Sequence, residues 1–79
     1  MIDDFSRQLG SKLRIARLNR GLSLVQVEER SGGRWTSESL GHYECGRRPI
    51  KAETFIELAA FYCVRPKALL PGTELSLQN

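Results

Sequence analysis

Apolar residues recur along this chain at the three- and four-residue spacing of amphipathic helices, and no segment shows the alternation of a strand. Phe5, Leu9, Leu13 and Ala16 share one face at ~100° per residue and predict a first helix over residues 4–20. Gly21 is a natural stop just past its end. Ser23 can cap a second helix over 24–31, and Gln26 three residues on completes a reciprocal capping box. Leu24 and Val27 are that helix's core candidates. Gly32-Gly33 supplies a turn tolerant of positive φ. Thr36 can cap a third helix over 37–45, with Leu40 and Tyr43 turned inward beside Trp35 and Gly46 ending it. A fourth helix is predicted over 52–62, with Phe55, Leu58, Ala59 and Tyr62 at core spacing. Pro66 suits the first turn of a short fifth helix through Leu70, and Pro71-Gly72 stops it.

These elements describe an all-α fold, a compact bundle of four to five helices. Seventy-nine residues are enough for one core. The domain is expected over residues 1–72, with 73–79 a loose tail or the start of a linker. There are no internal repeats. The stretch 23–46 is the most informative, because it holds two short capped helices joined by a glycine-rich turn. In a small basic protein that arrangement points to a helix-turn-helix, whose second helix enters the DNA major groove.

Composition narrows the function classes. Twelve Lys and Arg against nine Asp and Glu give a net charge of +3 and a pI near 9.2, which permits an anionic partner without specifying one. Cys45 and Cys63 stand in no metal-binding or redox spacing and are expected as reduced thiols. His42 and Cys45 form a lone H-x-x-C, and two ligands do not make a metal site. No cofactor is expected. One histidine and no justified carboxylate pair leave no nucleophile, base and acid set, so an enzyme is not expected. No apolar stretch approaches the ~18 residues of a membrane span. The start, Met-Ile-Asp-Asp, is acidic and lacks the basic flank of a signal peptide. The expected location is cytoplasmic, on the nucleoid.

Leu9-Gly10, Leu13-Arg14, Arg17, Gly21-Leu22-Ser23, Tyr43-Glu44-x-Gly46, Leu58-Ala59, Val64 and Leu69-Leu70 together resemble the lambda-repressor-like, Xre-type helix-turn-helix domain. The likeness covers about residues 9–72. A closer one exists. Glu28-Glu29-x-Ser31-x-Gly33-Arg34-Trp35, followed by Gly41-x-Tyr43-Glu44-x-Gly46, is similar to the DNA-binding domain of BldD-type developmental regulators of actinobacteria. The turn between helices 2 and 3 looks about two residues longer than the common Xre pattern, as in the BldD type. Members of that type carry a second, C-terminal domain. The chain departs from the wider pattern at Leu24, where Gln is usual and can touch a phosphate, at Cys63, where Gly is frequent, and at Glu38, where neutral amides are frequent.

The resemblance implies sequence-specific binding of double-stranded DNA as a bacterial transcriptional regulator, a repressor in the BldD manner. Helix 3 buries Leu40 and Tyr43, which leaves Ser37, Glu38, Gly41 and His42 outside. Family geometry places Ser37 and Glu38 first among base readers. A glutamate can accept a hydrogen bond from cytosine N4. Arg47, Arg48 and Lys51 after this helix, with Arg34 and Thr36 before it, are the expected DNA-backbone set, because phosphate contacts fix register and supply salt-sensitive affinity. For each, a solvated surface residue is the plain alternative. The resemblance also implies a structural ion pair between Arg17 and Glu44. Ile15 and Leu18 lie roughly 180–240° around helix 1 from Leu9. They mark a possible contact with a second protomer or another domain, or are scattered exposed apolar residues. The expected partner is a two-fold-related operator bound by two copies. Two alternatives keep the same fold. One is a protein-interaction module without DNA binding, which Leu24 and Glu38 would suit; the other is an RNA-associated bridging factor.

Overall fold

The computed structural model describes residues 4–71, and the tail predicted over 73–79 lies outside the described residues. Four α-helices follow one another: α1, Asp4–Asn19; α2, Leu24–Arg30; α3, Ser37–Cys45; and α4, Ala52–Phe61. A single 3-10 turn, Pro66–Leu69, stands where the fifth helix was expected, with Pro66 at its start. The described residues contain no strand. The helix starts follow the predicted caps. The Ser23 hydroxyl accepts from the Gln26 N–H at 3.1 Å and the Gln26 side chain accepts from the Ser23 N–H at 2.8 Å. The Thr36 hydroxyl accepts from the Ser39 N–H at 3.1 Å.

All four α-helices end in the same motif. A residue at positive φ donates to the carbonyl three before it, and its successor donates to the carbonyl five before that successor. At α3, Gly46 donates to Tyr43 at 3.1 Å and Arg47 to His42 at 2.9 Å. At α4 the positive-φ position is held by Cys63, at +61°. Residues 20, 31 and 62, predicted as last helical residues, are therefore cap or turn residues, and Leu70 caps the 3-10 turn.

The core gathers Leu9, Leu13 and Ala16 from α1, Leu22, Val27, Trp35, Leu40, the α4 residues Leu58 and Ala59, then Tyr62 and Leu69. Trp35 meets Phe61 edge to face at 5.6 Å. Leu24, Tyr43 and Phe55, expected inside, are half-buried against this cluster. Phe5 departs from expectation. It has the right helical phase but is 56% exposed. It lies in the first turn of α1 at the edge of an open groove with Leu9, Ile50, Phe55 and Leu70, where none of the described elements covers it.

The crossing that matters most is α1 on α3, the most extensive contact between elements. A Cβ on Gly10 would fall 2.4 Å from the Tyr43 carbonyl oxygen and 2.5 Å from that of Glu44. Those are backbone atoms and cannot swing aside, so only glycine lets the two helices approach this closely. The end of α3 is thereby seated on α1.

Candidate nucleic-acid interface

The seat is locked by charge. Arg17 Nε donates to Glu44 Oε2 at 2.7 Å and Nη2 donates to Oε1 at 2.9 Å, a two-pronged fork. Nη1 donates to the Leu22 carbonyl at 2.8 Å. Both side chains are under a tenth exposed. The hydrogen bond to Glu44 raises the Arg17 pKa above its ordinary value, against the opposing effect of burial. The pair implied by the resemblance is present and joins α1 to the last turn of α3. Tyr62 packs nearby, and burial, with help from the Glu44 carboxylate, pushes its pKa up to about 12.

The outer face of α3 starts at its cap. The Ser37 N–H donates to Glu28 Oε1, from α2, at 2.8 Å. Ser37 is half-buried and Glu38 fully exposed. His42 Nε2 lies 3.9 Å from Glu38 Oε2 one turn back, so these two form one polar ridge. Gly41 sits beside them. A Cβ there would meet only Leu24 Cδ1, at 3.8 Å, an ordinary contact. Packing among the described residues therefore does not demand a glycine at this position.

Arg47, Arg48 and Lys51 are all exposed beyond the end of α3. Arg48 curls back and donates to the Ser39 hydroxyl at 3.0 Å. The Thr36 hydroxyl accepts the cap bond with one lone pair, which leaves its O–H free to donate. Arg34 stands apart from the group expected of it. Its guanidinium grips Glu57 of α4, with Nε donating to Oε1 at 3.0 Å and Nη2 to the second oxygen. Glu28, Ser39 and Glu57 were not anticipated as partners of this surface. Glu28 and Glu57 act across nine and 23 residues of chain, a range over which spacing carries no signal.

Ile15 and Leu18 are exposed, at 54% and 51%. Ile15 lines an open groove of about 320 Å³ with Ala16, Val64 and Leu69. Among the described residues no three His, Cys, Asp or Glu side chains gather as metal ligands, and no helix is long and apolar enough to cross a membrane.

A helix-turn-helix domain family model matches residues 8–71. The crystal structure of the DNA-binding domain of BldD superposes with a TM-score of 0.85 at 46% identity, covering 90% of this chain and all of that one. The BldD DNA-binding domain of S. venezulae gives the same TM-score and identity, covering 87% of this chain and all of that one. No curated protein matches. On a family match spanning most of its length, and on the capped, ion-paired geometry of α2 and α3, the chain belongs to the helix-turn-helix domain family and is BldD-like within it.

Proposed function

We propose that this chain binds double-stranded DNA in a sequence-specific manner as a bacterial transcriptional regulator, with α3 laid in the major groove. The observation that carries the reading is the outer face of α3: polar, reaching solvent at Glu38 and partly at Ser37, Gly41 and His42, and held at a fixed angle by the Arg17–Glu44 fork beside exposed Arg47, Arg48 and Lys51. The DNA-binding domains that share 46% of its residues point the same way.

Ser37, Glu38 and His42 are the base-reading side chains, and bare Gly41 leaves room for the groove floor. The lack of any internal packing reason for Gly41 supports that assignment. Arg47, Arg48 and Lys51 hold phosphates, as does the free hydrogen-bonding capacity of Thr36. Arg34 joins them only by exchanging Glu57 for a phosphate. Two copies bind half-sites about one helical turn apart, with Ile15 and Leu18 as the apolar contact between protomers. Occupation of such an operator represses the adjacent promoter.

Selection of bound duplexes from a random pool tests this directly. The expected outcome is a two-fold-related site in which Glu38→Ala alters the preferred base at one position per half-site, by ~1–3 kcal/mol. An asymmetric site would remove the two-copy model. The second reading, an interaction module, is favoured by one observation: α2 opens with half-buried Leu24, whose side chain offers a phosphate no donor. A slope near zero in log affinity against log salt would select it.

A further inference from the structure

The two ends of α3 are held by different devices. The Arg17–Glu44 fork holds the last turn. The first turn, which carries Ser37 and Glu38, is reached from α2 by Glu28. Its carboxylate crosses from α2 to accept the Ser37 N–H at 2.8 Å. Its own carbonyl accepts the Gly33 N–H at 2.9 Å and the Ser31 hydroxyl at 3.0 Å. One residue of α2 thus holds both the start of the turn, at Ser31 and Gly33, and the start of α3, at Ser37. The Ser37 amide is one of those a helix leaves unpaired at its N-terminus. A carboxylate there is favoured by the helix dipole and makes a charge-assisted bond.

The intervening turn needs such a hold. Gly32 and Gly33 both sit at positive φ, 69° and 79°, and glycines restrict the path of the chain least. Buried Trp35 and the Arg34–Glu57 fork anchor the turn to the core and to α4. Neither contact reaches the first turn of α3. Among the described residues the Ser37 amide itself is held by the Glu28 carboxylate, whereas the Thr36 cap, which belongs to the segment being placed, and the exposed Arg48 guanidinium both hold Ser39, two residues further along.

We infer that Glu28 is a positioning residue for base readout: through the Ser37 amide it sets where the first turn of α3 sits, and so governs discrimination between duplexes rather than overall affinity. This role presupposes that the chain reads duplex DNA. The proposed phosphate contacts Arg47, Arg48 and Lys51 belong to the segment that follows the last turn of α3, although the Arg48 side chain reaches back to Ser39, and their charges remain when Glu28 changes. Such contacts position without specifying, so unspecific affinity is preserved.

Glu28→Ala and Glu28→Gln are compared with the parent on the selected duplex and an unrelated duplex at one salt concentration. Solvent exchange of the Ser37 amide is read by NMR, and the thermal midpoint is recorded. Glu28→Ala should speed that exchange and lower the ratio of selected to unrelated affinity about tenfold, the size of one lost base contact. Its unrelated affinity should stay within about twofold. Glu28→Gln keeps an acceptor oxygen at the same reach and should recover most of the ratio. Faster Ser37 exchange with an unchanged ratio overturns the role, as does a folded Glu28→Gln that discriminates no better than Glu28→Ala. If Glu28→Ala does not fold, Glu28→Gln decides: a protected Ser37 amide with a retained ratio supports the role, and a lost ratio in a folded protein refutes it. A parent that prefers no duplex would instead sink the DNA reading itself. That outcome is distinct from a discriminating parent whose Ala variant discriminates equally well.

Discussion

Single side chains on this surface divide by what they touch. Arg48 reaches Ser39 on α3 while remaining exposed, so its guanidinium has donors left for a phosphate. Arg48→Ala should weaken binding to specific and unrelated duplexes by similar factors and reduce the salt slope by about one. A loss confined to the specific site would move Arg48 into the base-reading set. Cys63 presents a different single-residue effect. It occupies, at φ +61°, the position that glycine holds at the other three helix ends. A side chain in left-handed backbone costs ~1–2 kcal/mol, and glycine's extra freedom in the unfolded chain costs about 0.5–1 kcal/mol. Cys63→Gly should therefore stabilise by up to about 1.5 kcal/mol and raise the thermal midpoint by a few degrees. A lower midpoint would mean that the exposed thiol makes a contact worth more than the backbone strain.

Between elements, the angle of α3 is the quantity that structure must protect. Gly10 brings the α1 and α3 backbones together, and the Arg17–Glu44 fork closes the gap beside them. Removing one partner of a buried pair strands the other, at ~3–5 kcal/mol. Glu44→Ala should lower the thermal midpoint strongly, and DNA binding should fall as a result of that loss. A variant that melts like the parent would mean the fork contributes nothing net. Replacing both partners together with apolar residues should be milder, because no charge is left buried alone.

For the molecule as a whole, stability should carry an alkaline signature. Tyr62 is 1% exposed, and burial together with Glu44 raises its pKa from the ordinary 10.0 to about 12, against the opposing effect of Arg17. The folded state holds this proton more tightly than the unfolded chain does. The associated stability is intact below about pH 10 and is lost as pH rises towards about 12, by on the order of 2–3 kcal/mol. Chemical denaturation of the parent and of Tyr62→Phe across this window isolates the effect. The parent should lose stability over the window relative to the variant, and parallel curves would mean that Tyr62 ionises as freely folded as unfolded.

The chain's local order was legible from residues alone. Ser23 with Gln26, Thr36, Gly21 and Gly46 pair backbone groups with partners no more than five residues away, so spacing along the chain is enough to find them. Helical period likewise placed Leu9, Leu13, Leu40 and Leu58 inside. Period says which face an apolar residue occupies and nothing about whether another element covers it, which is why Phe5 was misplaced. The Arg17–Glu44 pair was reached only through family resemblance, since 27 residues separate its partners. Arg34 was assigned to DNA from its place in the turn, and only the packing of α4 brought Glu57 to it. The Glu28 carboxylate on the Ser37 amide and the absence of any internal crowding at Gly41 are of the same kind. Caps and periods are contracts between neighbours in sequence. The angle and placement of α3 depend on side chains brought together by closing the core, and tertiary structure alone decides those.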